Sequence, residues 1–156
     1  MTIKRYLDVN DNSHLTLHKV DLVSLCDKYG TPLFVFDEVT LIENFERFKR
    51  AFESIYPKVM VCYSVKTNNN LALCKILREK GAYIEVSSLL DLHVALKAGF
   101  PGKKIIYDGP FKPIEALREA IENEVLLINC ESLDEIKRLN TLAAVSYTHL
   151  TLPTKA

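Results

Sequence analysis

The sequence predicts an α/β protein, specifically part of a (β/α)₈ TIM barrel with about four βα units. From residue 59 onward, a short apolar run and an amphipathic run of helical period alternate four times. Successive apolar runs begin roughly 21 to 23 residues apart, which is the size of a minimal βα unit. The turn after the first run, residues 66–70, has no glycine, whereas a doubly wound dinucleotide-binding sheet normally has a glycine fingerprint there. The barrel is therefore favoured over the doubly wound sheet.

The first 58 residues contain weaker signals. Leu15–Leu17 alternates like a short strand, and Asp21–Lys28 reads as a helix that ends at Gly30. Leu33–Phe36 is predicted to be a strand, and Glu38–Ile55 a long helix. Apolar residues recur along that helix at three- and four-residue steps, and we expect its phenylalanines in the core: Phe45, Phe48 and Phe52.

The repeating part predicts four strands, each followed by a helix. The strands are Val59–Val65, Ala82–Val86, Lys104–Tyr107 and Val125–Asn129, and the helices are Leu71–Lys80, Leu89–Ala98, Ile114–Asn123 and Leu133–Leu139. Short turns between such units require a parallel sheet with right-handed crossovers. Ser132 and Glu135 form a capping box, with Glu135 expected to reach back to the cap. Four units are half of a barrel, so one inner face and an edge are expected to be uncovered.

Composition excludes several classes of function. The chain has 156 residues, of which twenty are basic and twenty acidic, so no basic excess points to nucleic acid or an anionic membrane. No apolar run reaches the roughly 18 residues of a membrane span, and the N-terminus has no apolar signal core. The four scattered cysteines indicate free thiols in a reducing cytoplasm, and the histidines form no metal-ligand pattern with them. We therefore expect a cytoplasmic protein without a metal site.

The first strand of the repeat ends at a lysine, Lys66, followed by a polar turn. Working groups of barrels and open α/β sheets lie at the carboxyl ends of their strands. A partly desolvated amine there can lose its proton and form an imine with a carbonyl compound. The alternative is a charged strand end pointing into water, which the strand by itself favours.

The sequence around Lys66 resembles that of a known family. Tyr63–Asn68 (Tyr-Ser-Val-Lys-Thr-Asn) is similar to the Tyr-Ala-Val-Lys-Ala-Asn signature of pyridoxal-phosphate-dependent decarboxylases with the alanine-racemase-like barrel, a group that acts on diaminopimelate, ornithine and arginine. Gly30–Asp37 resembles Gly-Thr-Pro-Leu-Tyr-Val-Tyr-Asp, and Glu85–Leu92 resembles Asp-Val-Val-Ser-Gly-Gly-Glu-Leu. Ala95–Pro101 and Ile105–Lys112 follow in the family's order, so the resemblance covers about residues 20–140.

The resemblance implies roles for two residues. Lys66 would form the Schiff base with pyridoxal 5'-phosphate, and Glu85 would lie beside the cofactor. The family has aspartate at the position of Glu85, which is one methylene longer, so a simple salt-bridge role stays open. Asp91 matches a family glutamate and is expected to be structural or at the edge of the site. Asp108 is a candidate for lining the pocket, although a turn role before Gly109 is favoured.

Three neighbouring polar residues have ordinary explanations in the same sequence. Ser87 and Ser88 lie within the block that matches the family, and a helix cap explains them as well as a ligand contact does. His93 falls on the apolar stripe of its helix and is expected to be packed or on the surface.

The family resemblance also implies what the chain lacks. Related enzymes take a phosphate-binding glycine loop, a ring-stacking histidine and an acidic partner for the pyridine nitrogen from later strands, and they complete the site with a C-terminal β-domain, often across a homodimer interface. The chain is thus expected to be an N-terminal fragment of a diaminopimelate decarboxylase. The alternatives are a decarboxylase of ornithine, arginine or a carboxylated polyamine, and a non-catalytic pyridoxal-phosphate-binding protein.

Three parts of the chain are expected. Residues 1–30 would be a lead-in segment with a helix, and residues 31–142 would be the N-terminal half of the pyridoxal-phosphate-binding barrel. Residues 143–156 break the βα rhythm, and the stretch from Val145 to Thr154 resembles translated sequencing-adapter DNA. That tail is predicted to be non-native, with an ordinary polar tail as the alternative.

Overall fold

A computed structural model describes residues 6–145 of the chain. The chain divides into two compact units, Met1–Leu41 and Ile42–Ala156. Each unit has a sheet of its own, antiparallel in the first and parallel in the second. None of the helices between residues 6 and 145 is both long and apolar enough to cross a bilayer.

The first unit contains a three-stranded antiparallel sheet and one helix. Its elements are β1 (Leu7–Val9), β2 (Leu15–Leu17), β3 (Val20–Asp21) and α1 (Leu22–Tyr29), with strand order β1-β2-β3. The sequence predicted β2 and α1 but not the flanking strands, which are three and two residues long. Strands this short carry too little alternation for a period of two to be recognised.

Asp21 fixes the start of α1. Its Oδ1 accepts hydrogen bonds from the backbone amides of Val23 at 2.9 Å and Ser24 at 3.2 Å. Its Oδ2 lies 2.9 Å from His14 Nδ1 and accepts a hydrogen bond from the Asn10 side chain at 3.0 Å. These partners, with the His14 contact contributing most, lower the pKa of Asp21 from 3.8 to about 2. The predicted helix cap is thus also the centre of a polar cluster.

The predicted strand Leu33–Phe36 is wrong. Residues 33–37 have no regular structure, and no strand of the described chain pairs with them. Phe34 is 87% exposed. A short run of apolar, β-prone residues indicates that a segment suits a sheet, but a strand also needs a neighbour to pair with its backbone hydrogen-bonding groups.

Helix α2 (Glu38–Glu53) begins in the first unit and ends in the second. Asp37 caps it, because the Asp37 carboxylate accepts the amides of Val39 and Thr40 at 3.1 and 3.2 Å. The expectation that all three phenylalanines are core is wrong. Only Phe45 is buried, whereas the rings of Phe48 and Phe52 contact each other and remain half exposed. The apolar stripe of α2 therefore extends beyond the part of the helix surface that is buried.

The second unit is built on a four-stranded parallel sheet in the order β4-β5-β6-β7. The strands are β4 (Cys62–Ser64), β5 (Tyr83–Val86), β6 (Ile105–Tyr107) and β7 (Leu127–Ile128), and the helices are α3 (Leu71–Glu79), α4 (Leu89–Lys97), α5 (Ile114–Glu122) and α6 (Leu133–Val145). The predicted βα rhythm is confirmed, with strands shorter than predicted. Gly81 and Gly99 follow α3 and α4 in the left-handed conformation that their glycine signals predicted.

Two faces of the parallel sheet differ in burial. Paired residues on neighbouring strands share a face, and alternate residues face opposite ways. The face covered by helices carries fully buried side chains, namely Ile84, Val86, Ile105 and Tyr107. The other face carries residues that are half-buried or exposed. The sheet therefore has one packed face and one open face, as a partial barrel requires.

Helix α6 is longer than predicted. It continues past Leu139 to Val145, so residues 143–145 of the predicted non-native tail are helical. Residues 146–156 of that tail lie outside the described part of the chain. The non-native origin of the tail stays a prediction.

Candidate active site

Four paired residues run across the open face of the parallel sheet. Ser64 pairs with Glu85, Glu85 with Ile106, and Ile106 with Leu127. We call these four residues the site row. Glu85 lies one residue before the end of β5, and Ser64 is the last residue of β4. The polar half of the site row is therefore at the carboxyl end of the first two strands of this sheet.

Lys66 lies directly beyond that polar half. The predicted strand over Val59–Val65 is too long, because β4 ends at Ser64 and Val65–Thr67 forms a 3₁₀ turn. Val65 is buried beneath the turn, whereas Lys66 is exposed. No hydrogen bond or ion pair joins the Lys66 amine to another described residue. Lys66 thus presents a free amine at the carboxyl end of the sheet, as predicted, but from a turn rather than from a strand.

Local hydrogen bonds fix the turn that carries Lys66. The Tyr63 hydroxyl donates to the backbone carbonyl of Asn68 at 2.8 Å and so closes the turn around the lysine. The Asn68 side chain accepts the Asn70 amide at 3.0 Å, and Asn70 caps α3 through the Ala72 amide at 2.9 Å. Asn68 and Asn70 therefore stabilise the turn and the start of α3. These hydrogen bonds fix the backbone on the C-terminal side of Lys66.

Two polar atoms at the ends of β4 and β5 are buried without a partner among residues 6–145. They are Ser64 Oγ and Glu85 Oε1, which lie on paired residues of the site row. Leaving such an atom unsatisfied costs about 1–3 kcal/mol, so buried polar groups without partners point to a missing ligand or water. Burial, followed by the negative charge of Glu85, raises the pKa of the Cys62 thiol on the same face. A hydroxyl and a carboxylate are thus unpartnered on paired residues of neighbouring strands, and Lys66 follows Ser64 by two positions.

Asp91 has a structural role, in line with the expectation for this residue. It is buried in the first turn of α4, and its Oδ2 accepts hydrogen bonds from the Ser87 amide at 3.1 Å and the Ser87 hydroxyl at 2.9 Å. Ser88 caps α4 by accepting the Asp91 amide at 3.1 Å. Ser87, Ser88 and Asp91 therefore hold the turn that follows Glu85.

Asp108 and His93 lie apart from these contacts. Asp108 follows β6 at the same edge of the sheet as Lys66, is half-buried, and donates its amide to the Val86 carbonyl at 2.8 Å. A pocket-lining role for its carboxylate stays a prediction. His93 is on the surface, where its Nε2 lies 2.7 Å from Glu119 on α5. That pair connects two helices and does not reach the site row.

Comparison with known proteins identifies the family. The family described as pyridoxal-dependent decarboxylase, pyridoxal binding domain, matches residues 39–155. That range contains both Lys66 and the whole parallel sheet. The chain belongs to this family. The matched range, residues 39–155, contains most of the second compact unit.

Relatives of this domain have consistent names. A diaminopimelate decarboxylase of Methanothermobacter thermautotrophicus is 39% identical over 88% of this chain and 32% of its own length. One of Aquifex aeolicus is 38% identical with the same coverage. The crystal structure of diaminopimelate decarboxylase from M. jannaschii in co-complex with L-lysine superposes with a TM-score of 0.85 at 27% identity, covering 94% of this chain and 35% of that one. The chain spans about a third of the length of these relatives.

Pyridoxal phosphate fits the residues of the pyridoxal-binding domain. The cofactor's aldehyde needs an amine, which Lys66 would supply, and its polar substituents need donors and acceptors, which the unpartnered Ser64 hydroxyl and Glu85 carboxylate would supply. The family signature has alanine at the position of Ser64, so the signature gives no role to a hydroxyl there. The burial of Ser64 Oγ without a partner is what makes this hydroxyl a candidate ligand contact.

Sequence reasoning also missed Lys112. It noted this residue only as the end of a matching block, yet Lys112 is buried and paired with Glu135 on α6. A lysine in a short turn gives no sign of burial in the sequence, because its partner is 23 residues away.

Proposed function

We propose that the full-length protein carrying this domain is a pyridoxal-phosphate-dependent carboxy-lyase that removes a carboxyl group from diaminopimelate, and that Lys66 forms the Schiff base with the cofactor. The observation that carries the proposal is an unpaired lysine, Lys66, in the turn directly after the strand end at which Ser64 Oγ and Glu85 Oε1 are buried without partners. The names of the relatives that are 38% and 39% identical support the choice of substrate. We also propose that this protein is cytoplasmic and a homodimer, as the family resemblance implies.

The residues of the domain have distinct tasks in this proposal. When bound, pyridoxal phosphate supplies an electron sink for the pair that is left when carbon dioxide departs. Lys66 would hold the cofactor covalently, and its amine, when not bound to the cofactor, would accept or donate a proton at Nζ. Glu85 would accept a hydrogen bond at Oε1 from a polar substituent of the cofactor. Ser64 would donate a hydrogen bond from its hydroxyl to another. The 3₁₀ turn closed by Tyr63 fixes the backbone that carries Lys66 at the end of β4.

The substitution Lys66→Ala in the full-length protein tests the proposal. We expect the visible absorbance of the bound cofactor and the release of carbon dioxide from diaminopimelate to be lost, because alanine has no amine. Lys75→Ala removes another exposed lysine, on α3, and should change neither. Glu85→Gln should keep the absorbance but weaken cofactor binding. Unchanged absorbance in Lys66→Ala would refute the assignment of this lysine.

Release of carbon dioxide from ornithine or arginine in place of diaminopimelate would favour the alternative substrates. The departures Ser64, Thr67 and Glu85 from the family signature are the features that support that alternative. Cofactor binding without turnover of any of these amino acids would favour the non-catalytic alternative.

A further inference from the structure

A buried ammonium group ties together the turns next to the proposed cofactor site. Lys112 lies in the turn between β6 and α5, and its side chain is fully buried. Its Nζ donates to the Gly109 carbonyl at 2.8 Å and to the two carboxylate oxygens of Glu135 at 3.2 and 3.3 Å. A buried charge persists only where its geometry is well satisfied. The turn after β6 is therefore held in one conformation against the start of α6.

Glu135 extends this connection to the turn after β7. Its own amide donates to the Ser132 hydroxyl at 3.1 Å, which caps α6. Its Oε2 accepts the amide of Glu131 at 2.9 Å. The carboxylate thus fixes the residues that lead from β7 into α6, and Lys112 supplies the opposite charge that allows this carboxylate to be buried.

Gly109 extends the connection in the other direction, to the turn after β5. Gly109 has a φ of +113°, and a Cβ atom added to it would lie 2.6 Å from the Ser87 carbonyl oxygen. The two turns are therefore in direct backbone contact, and only glycine leaves room for it. Asp91 holds Ser87 on its other side through two hydrogen bonds. Ser87 comes two residues after Glu85 in the sequence.

These contacts form one continuous path over three successive βα turns. The path runs from Asp91 through Ser87 and Gly109 to Lys112 and Glu135. All three turns follow the carboxyl ends of their strands, the same edge of the sheet at which Lys66 and the Glu85 carboxylate lie. The group at the centre of the path is the Lys112 ammonium, because it contacts both the turn after β6 and α6.

We propose that Lys112 is a positioning residue for the cofactor site: its hydrogen bond to Gly109, anchored by Glu135, fixes the turns that follow β5 and β6 and so sets the place of Glu85 relative to Lys66. This inference rests on the proposed function, because it assigns Lys112 to the same site. The Lys112 side chain points towards the buried face of the sheet, with its Nζ 5.9 Å from the centre of the buried Tyr107 ring. The site row lies on the opposite face.

A positioning role can be separated from a purely stabilising one. Replacing a buried ion pair by apolar residues of similar size often leaves stability unchanged or higher, whereas removing one partner is strongly destabilising. The double variant Lys112→Met/Glu135→Leu should therefore fold. It lacks the hydrogen bond to the Gly109 carbonyl, so the turn after β6 is released while the core remains packed.

The experiment measures cofactor affinity and stability together in the full-length protein. We expect Lys112→Met to lower the thermal midpoint, and the double variant to bring it back to within a few degrees of the unaltered protein. In the double variant, the dissociation constant for pyridoxal phosphate, from a titration of visible absorbance, should still be raised about tenfold, which is the effect of one lost hydrogen bond. His93→Ala/Glu119→Ala removes an exposed ion pair between α4 and α5 and should change neither quantity.

Each outcome decides between the two roles. A double variant that binds pyridoxal phosphate within twofold of the unaltered protein would overturn the inference. If that variant fails to fold, Lys112→Met/Glu135→Gln takes its place, since glutamine keeps an acceptor for the Glu131 amide. Failure of both doubles to fold would show that the pair serves stability, which also overturns the inference. An unaltered protein that does not bind the cofactor would instead refute the proposed function.

Discussion

Asp21 combines two roles at one carboxylate. One oxygen caps α1 and the other contacts His14 and Asn10, and together these contacts lower the pKa of Asp21 to about 2. A carboxyl whose pKa is lower in the folded state stabilises that state fully above its ordinary pKa of 3.8. This contribution is lost as the pH falls from about 4 through about 2. The start of α1 is therefore expected to be sensitive to acid.

We predict that Asp21→Asn flattens this pH dependence. Asparagine caps a helix as well as aspartate does, so α1 should persist at neutral pH, but asparagine has no proton to gain between pH 4 and pH 2. Hydrogen exchange at the amides of Val23 and Ser24 measures the opening of this helix start. In the unaltered protein their protection should fall more steeply with acid than in the variant.

The matched control for this experiment is Asp11→Asn. Asp11 is an exposed turn residue of the same unit, and its replacement should leave the acid sensitivity of α1 as it is. Equal slopes in the unaltered protein and in Asp21→Asn would contradict the role of this carboxyl.

At the scale of elements, α4 and α6 begin in the same way. In each, a serine caps the helix by accepting the amide of an acidic residue three positions later, namely Asp91 or Glu135. The acidic side chain then accepts the amide of the residue before the cap, Ser87 or Glu131. The capping box predicted for Ser132 and Glu135 is thus present in modified form, because Glu135 reaches one residue further back than predicted. This arrangement joins each helix to the turn that precedes it.

Loss of either cap should destabilise the protein to a similar extent. We predict that Ser88→Ala and Ser132→Ala each lower the free energy of unfolding by about 1 kcal/mol, because each leaves one helix amide without its acceptor. Denaturant unfolding midpoints measure the change. Ser54 lies just beyond the end of α2, and its exposed hydroxyl donates a hydrogen bond to the Ala51 carbonyl. Ser54→Ala should lower the free energy of unfolding by less than the two cap variants do.

A large effect in Ser54→Ala, or none in the two cap variants, would contradict this account. Because Ser132 also adjoins Glu135, a clearly larger cost at Ser132 than at Ser88 would add weight to the connection through Lys112.

At the scale of the whole molecule, the parallel sheet leaves apolar surface open. Leu127, the last residue of the site row, is 47% exposed, and β7 is an edge strand. The turn before α5 and the start of α6 also expose apolar side chains, those of Phe111 and Leu133. Contiguous exposed apolar surface and an unpaired strand edge both favour association.

We predict that the isolated 156-residue chain self-associates at micromolar concentration. Leu127→Lys should shift the distribution towards the monomer, because it places a charge on the open face at the edge strand. Leu90→Lys alters an exposed leucine of α4 and should have a smaller effect. Sedimentation velocity measures the distribution. A cooperative unfolding transition of a stable monomer, unaffected by Leu127→Lys, would count against the prediction.

The order of the βα units and the place of Lys66 after the first of their strands were predicted from local signals in the sequence. Hydrophobic period, glycine after a helix and serine before one are local signals, so they identified all four βα units and placed Lys66 at the end of the first strand. Strand ends were less accurate, because the three-residue β4 leaves Val65 to a turn. The pattern at Leu33–Phe36 predicted a strand that is not formed, since a strand depends on a partner that no local signal reports.

Only the tertiary structure brought distant polar groups together. Ser64 and Glu85 are 21 positions apart and became neighbours through the register of β4 and β5, which revealed two buried atoms without partners. Lys112 and Glu135 are 23 positions apart and form a buried pair across two turns. Sequence periodicity reports which face of an element is buried, whereas the partner of a buried charge depends on how whole elements pack, and that is a property of the fold.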